Sequence, residues 1–341
     1  MSSTEPLAFV TVIEPGGALE AQVLLLAESL RVWGGRLAGA PILAVSPRWH
    51  LPIRRSTLAR FDELGILHLD HARRHRYSWY NFLNKALAIV EAREATRAEH
   101  LVWIDGDALV LDEPSAFLGE SADFSAIFTG GDLSTAGPSD RHDAYWAAAC
   151  DLLGLDLDQL PWVEADGRRV RYCIQAGIFR VRRSSAVCDH YLANLEALIE
   201  SRMIPPRRNL FYHETVALAL APFTSGSKWS ELPLSHNFVP GAATEEGTIP
   251  GLESAHVLHY HDRLYPPGRE AMISALRRVR PDRAEWLEER LPSYNATLRS
   301  PAPTRLLSRV LREIRRGKAQ RFLEGCRTIE TGPPACETVG R

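Results

Sequence analysis

The stretch LVWIDGDALVLDEPS, residues 101–115, constrains this chain more than any other. Leu101, Val102, Trp103 and Ile104 form an unbroken apolar run, which reads as a strand buried on both faces of a parallel sheet. The run empties into Asp105-Gly106-Asp107. In open α/β sheets the carboxyl ends of the strands are where ligands bind. Residues two apart in extended backbone share a side, so the two carboxylates are expected to converge. At close range two such charges repel by about 1 kcal/mol in water and about 4 kcal/mol at a protein-like dielectric. A hard divalent cation, Mn²⁺ or Mg²⁺, relieves that repulsion. Gly106 is expected to leave room for a ligand backbone or a diphosphate. An isolated Asp-x-Asp is equally the start of a solvated turn. The apolar run before it and Pro114 after it favour a site.

The flanking sequence extends the same pattern. Residues 7–13 (LAFVTVI) predict a first strand, broken by Pro15-Gly16-Gly17, and 19–33 carry helical periodicity. Strands are expected at 41–45 and 66–69, with helices at 58–64 and 77–97. This alternation predicts an α/β fold, a mostly parallel sheet with helices on its faces. Further on, 124–128 predict a strand and 129–140 a loop long enough to cover a site. Helices are expected at 144–153, at 184–200 with a serine cap, and at 213–220 with Glu214 near its start. Strands are expected at 178–181, just after Gln175-Ala176-Gly177, and at 255–260.

From about Arg269 the chain turns arginine-rich and helical, so three parts are expected: a catalytic domain over 1–268, a helical extension over 269–325, and an unstructured tail over 326–341. Leu306, Leu307, Val310, Leu311 and Ile314 form an apolar stripe among Arg305, Arg309, Arg312, Arg315 and Arg316. Such a stripe fits packing on the domain or on a partner subunit, as in a homodimer, or peripheral contact with a membrane surface. Packing on protein is the expected arrangement.

With 45% apolar and 24% charged residues and a net charge of −2, the composition is that of a soluble globule without general nucleic-acid affinity. The five cysteines are odd in number and hold no C-x-x-C pair, which argues for a reducing compartment and against a zinc ribbon. The opening MSSTEP lacks a signal-peptide pattern, and no apolar run reaches the length of a membrane span. A cytoplasmic location is expected.

A strand-end D-x-D inside an α/β domain resembles the GT-A fold of nucleotide-sugar glycosyltransferases. The order of further segments is similar to that of glycosyltransferase family 8, the glycogenin-like and galactosyltransferase-like enzymes. The resemblance runs over about residues 7–267. It implies that Asp105 and Asp107, with Gly106 between them, bind Mn²⁺ and the donor diphosphate. Lys85 in YNFLNKALAI would touch the donor. Gln175-Ala176-Gly177 stands where the family lines its sugar pocket, with the leading amide lengthened. His213-Glu214-Thr215 stands where the family has residues near the acceptor and the anomeric carbon. Gln175 and Glu214 are therefore the catalytic candidates. His259, opening HYHDRLYPP, matches the family's third metal ligand. That closing motif departs from the family at Asp262, Tyr265 and Pro267, and Arg263 is expected to do the work of a lost lysine on the diphosphate. The implied activity moves a sugar, with retention, from a UDP-linked donor to an unknown acceptor.

Each residue also has a plainer reading. Lys85 could be a surface helix lysine, Gln175 a partner for buried backbone, Glu214 an acid favoured by a helix N-terminus, and His259 or His261 structural. Rival functions leave marks that are weak here. A dehalogenase-like phosphatase wants Thr or Val where Leu109 stands, and an acidic pair near a lysine such as Lys228. A nucleotidyltransferase wants basic residues in the loop at Pro15-Gly16-Gly17. A non-catalytic GT-A-like scaffold acting through its arginine helix leaves no mark of its own.

Overall fold

Apolar runs and amphipathic stretches alternate along the first hundred residues, and they fold as that alternation dictates. The computed structural model describes residues 6–15, 18–119, 122–206, 210–245, 247–299 and 302–331. Its first part comprises β1 (Leu7–Val12), α1 (Ala18–Trp33), β2 (Ile42–Arg48), α2 (Arg55–Leu64), β3 (Ile66–Arg73), α3 (Leu83–Ala95) and β4 (His100–Ile104). Next come β5 (Ala108–Val110), β6 (Phe124–Phe128), α4 (Asp143–Leu152), β7 (Trp162–Ala165), β8 (Arg168–Arg171) and β9 (Ile174–Arg182). The rest is α5 (Val187–Ser201), β10 (Met203–Ile204), α6 (Phe211–Thr224), β11 (Trp229–Glu231), β12 (Val257–His259), α7 (Gly268–Val279), α8 (Pro281–Leu298), α9 (Ala302–Glu324) and β13 (Arg327–Thr328).

Seven strands share one sheet in the order β11-β6-β9-β4-β1-β2-β3. All its pairs are parallel except those of β9, which runs antiparallel to β4 and β6. The expected α/β class, a mostly parallel sheet flanked by helices, is the architecture found. β4 lies at the centre, and its side chains divide by the period of two. Leu101 and Trp103 enter the core shared with α3, α5 and α6, while Val102 and Ile104 enter the one beneath α1. Each such fully buried side chain contributes about 1.5–3 kcal/mol before entropy is counted. A third cluster joins Met272, Leu276 and Leu287 of α7 and α8 to Leu25 of α1 and Leu258 of β12. These two helices therefore share a core with the sheet's own helix.

Local expectations needed several corrections. The helix expected from Tyr77 starts at Leu83, because residues 75–80 close turns in which Tyr77, Trp79 and Tyr80 pack ring on ring. The helix expected from Ser184 starts at Val187 without a side-chain cap, and the Ser185 hydroxyl instead donates back to the Arg182 carbonyl at 2.8 Å. The antiparallel pair β7–β8 was not expected, although Asp166-Gly167 at its turn was a usable signal. Both residues have positive φ, 51° and 69°, as a tight hairpin turn requires. The tail is ordered at its start: Arg327 and Thr328 pair with Met203 and Ile204, and Cys326 and Ile329 pack on the main core. Residues 332–341 of the expected tail lie outside the described residues.

The apolar stripe of the arginine-rich helix does not pack on its own domain. Leu306, Leu307, Val310 and Ile314 of α9 are exposed, at 65%, 52%, 47% and 51%. The helix is held by its other face. Leu311 and Arg315 line a groove with Leu19 and Leu51, and Phe322 lies 5.0 Å from the Trp79 ring. Among the described residues no helix is long and apolar enough to cross a membrane.

Candidate active site

β4 delivers Asp105 to the mouth of the sheet, where the Asp105 amide donates to the Gly177 carbonyl at 2.9 Å. The chain then turns, with the Ala108 amide donating to the Asp105 carbonyl at 3.1 Å. The two aspartates thus converge across a turn and not along extended backbone, which corrects the reason given for their meeting. β5 pairs antiparallel with β12, setting His259 opposite Ala108, and the Tyr260 amide donates to the Asp107 carbonyl at 3.0 Å. Asp105, Asp107 and His259 bring their ligand atoms within 4.8 Å of one another.

The orientation of His259 is fixed by groups that sequence reasoning missed. Its Nδ1 lies 3.0 Å from Asn237 Oδ1, and the Asn237 amide nitrogen donates to Gln175 Oε1 at 3.1 Å. An amide oxygen only accepts, so Nδ1 carries a proton and Nε2 is the ring nitrogen turned to the carboxylates. Nε2 lies 3.2 Å from Asp107 Oδ1 and 3.9 Å from Asp105 Oδ2. A cation with ligand bonds of about 2.1 Å sets adjacent octahedral donors about 3 Å apart, so the three groups fit a divalent ion. Burial raises the Asp107 carboxyl, but the His259 hydrogen bond and both nearby imidazoles hold it below the usual carboxylate range. Asn237 ends a short 3-10 turn, Leu234–Asn237, whose following residue Phe238 bonds β12, and nothing in its local sequence marks it. His261 packs its ring 4.2 Å from that of His259 but stands outside the three-group cluster.

Behind the acids lies a buried ion cluster. Lys85, 8% exposed, is a core residue of α3 rather than a surface lysine. Its Nζ donates to the Ala176 carbonyl at 2.8 Å and lies 3.2 Å from Asp105 and 3.7 Å from Glu214. Burial disfavours its charge, yet Asp105 and Glu214 outweigh that and raise its pKa above the ordinary value. Glu214, 2% exposed in the first turn of α6, also accepts from the Tyr191 hydroxyl at 2.6 Å. Burial pushes its carboxyl up against the pull of Lys85 and Tyr191. Trp103 Nε1 donates to Asp105 Oδ1 at 2.7 Å. From sequence Trp103 reads only as part of the apolar run, and Tyr191 is not singled out.

The cleft has two lobes that share Phe82, Lys85, Asp105 and Asp107. One, about 390 Å³, is walled by Leu133, Gln175, Ala176, Gly177, Glu214 and His259 among others. It forms where β9 loses register with β6 beyond Ala126, a break that turns residues 175–177 into the opening. The other, about 290 Å³, lies at the ends of β1 and β2 beside Thr11, Glu14, Arg48 and Asn84. Gly106 lines this second lobe, but a Cβ there would only meet α1 at ordinary contact distances of 3.5–3.7 Å. Close approach at the cleft belongs instead to Gly177, where a Cβ would fall 2.4 Å from the His259 ring. Arg263 lies in the turn after His261 and lines neither lobe, so the structure does not bring it to the acids. The three most buried cysteines, Cys150, Cys173 and Cys188, have thiols pushed up to about 12 by burial, which leaves none of them poised as a nucleophile.

The family model described as the Rhodobacterales glycosyltransferase domain matches residues 9–224. The chain belongs to this family. The matched part of this glycosyltransferase carries Lys85, Asp105, Asp107, Gln175 and Glu214, whereas Asn237 and His259 lie beyond it. Membership removes the phosphatase and nucleotidyltransferase readings, and the protein is an enzyme rather than a scaffold. No curated protein sequence matches it significantly. Among solved structures, galactosyltransferase LgtC, in complex with donor and acceptor sugar analogues, is similar at 13% identity and a TM-score of 0.47, over 87% of this chain and 99% of that one. Glycosyltransferase GlyE of Streptococcus pneumoniae TIGR4 is similar at 12% and 0.47, over 98% and 66%. The bifunctional enzyme WbbM is similar at 13% and 0.44, over 82% of this chain and 50% of its own length. Likeness at this level says nothing about donor or acceptor.

Proposed function

We propose that this glycosyltransferase is metal-dependent and moves a sugar from a nucleotide diphosphate donor, UDP-linked, to an acceptor hydroxyl, with retention at the anomeric carbon. The observation that carries the reading is the convergence of His259 Nε2 and two carboxylates at the cleft mouth. Asp105, Asp107 and His259 would hold the ion, and an imidazole beside two carboxylates suits Mn²⁺ better than Mg²⁺. Such an ion neutralises charge on the departing diphosphate.

The chain's own residues supply the rest. The lobe at the ends of β1 and β2 takes the nucleoside, since it lies at the carboxyl edge of the parallel strands. The lobe at Gln175, Ala176 and Gly177 takes the sugar, with the acceptor entering past Leu133 and Val239. Lys85 keeps Asp105 and Glu214 in place as a buried counter-ion. Glu214 is the carboxylate at the floor of the sugar lobe, set to act on charge developing at the anomeric carbon. Transfer then depends largely on holding the acceptor hydroxyl close.

The test is donor hydrolysis by the purified chain over a panel of nucleotide sugars, with Mn²⁺ and with EDTA. Turnover of a UDP-sugar that needs Mn²⁺ supports the reading. Undiminished turnover in EDTA sinks the metal, and turnover confined to another nucleotide sinks UDP.

A further inference from the structure

The outward face of α9 is unexplained by the transfer reaction. Leu306, Leu307, Val310 and Ile314 follow helical spacing, so they form one continuous stripe, and all four are exposed. Arg305, Arg309, Arg312 and Arg316 flank that stripe and are exposed as well. Over the whole helix seven basic residues stand against Glu313 and Glu324, in a chain whose net charge is −2. The helix thus carries an excess of positive charge that the chain as a whole does not have.

The helix is pinned, so the exposed stripe is not the side of a loose segment. Arg315 donates to Glu14 Oε2 at 3.3 Å and to the Trp49 carbonyl at 3.0 Å. Phe322 packs on Trp79, and the strand that follows pairs with β10. Docking by the opposite face leaves the apolar stripe pointing outward. Trp49, whose backbone α9 holds, is itself 55% exposed. Indole rings favour the level of lipid headgroups.

We infer that α9 is a docking surface for an anionic lipid bilayer, the Leu306–Ile314 stripe entering the headgroup boundary and the arginines meeting phosphates. An apolar stripe rimmed by cations, with long side chains that can reach up to the headgroups, is the pattern of an interfacial helix. A symmetric pairing of two copies through this stripe would set arginine against arginine, which disfavours a second copy as occupant. The inference stands apart from the donor reading, because lipid binding needs no turnover.

The experiment is flotation of the full chain with vesicles of phosphatidylglycerol and phosphatidylcholine in equal parts, and with phosphatidylcholine alone. Binding is expected to the anionic vesicles, to be weak on the neutral ones, and to fall as salt rises. The double variant Leu306→Asp with Val310→Asp should lose about tenfold in vesicle binding. Its thermal melting and its donor hydrolysis should stay as in the wild type. Three results overturn the inference. The wild type ignores anionic vesicles, or the double variant binds them undiminished, or the wild type is a dimer that the double variant turns into a monomer. The last result would assign the stripe to a second copy of the chain.

Discussion

The two lobes of the cleft meet at the same aspartates but are built differently. The lobe at β1 and β2 is made of strand ends and held by charge: Glu14 accepts from Arg48 at 3.0 Å, from Asn84 at 3.0 Å and from Arg315 at 3.3 Å. The sugar-side lobe is made of a register break, a short antiparallel ribbon and a loop, and its polar groups form a chain from Gln175 through Asn237 to His259. In the first, one carboxylate is shared by several donors, so losing one contact leaves others. In the second, the groups are linked in series, and Asn237 alone connects Gln175 to His259. The second lobe should therefore be the more sensitive to single changes.

The largest effect is expected at the residue both lobes share. Asp107→Ala should lower donor turnover by about a thousandfold, since it removes a carboxylate from the only cluster of this kind among the described residues. Loss of less than tenfold would mean that the lobes do not meet at a working centre. Glu214→Gln comes next, with kcat down by about a hundredfold and donor KM within a few-fold. A change confined to KM would move Glu214 out of the transfer step. Asn237→Ala should weaken Mn²⁺ binding by about tenfold, the usual range for removing a group that orients a metal-bound imidazole. Smallest is Glu14→Gln, expected to change donor KM by about threefold while kcat holds, because Arg48 and Arg315 keep other partners. A fall in kcat larger than that of Asn237→Ala would reverse the ranking of the two lobes.

The lobes also differed in how far sequence revealed them. Asp105 and Asp107 stand beside a β4 run whose apolar character is local and visible, so strand, centrality and site came together. Glu214 and Gln175 were placed by segment order, and both line the cleft. Asn237 was invisible, because its role comes from a turn held beside β12, a contact set by tertiary structure. The ion cluster was half visible. Lys85 could be singled out, but its burial with Glu214 and Tyr191 depends on how α3, α5 and α6 meet. Arg263 was placed by segment order too, and it is not among the residues lining either lobe. The α9 stripe was legible as a pattern, but which of the helix's faces would dock was not. Phe322 and Arg315 decide that, from outside the stripe.

The central claim is that Asp105, Asp107 and His259 hold one divalent ion in the cleft. Calorimetric titration of Mn²⁺ into the chain with UDP present tests it most directly, comparing wild type, His259→Ala and His261→Ala. The account predicts one saturable site in the wild type, binding at least tenfold weaker in His259→Ala, and near-normal binding in His261→Ala. A silent His259→Ala beside a damaging His261→Ala would contradict the ligand assignment. Equal binding in all three would remove histidine from the site altogether.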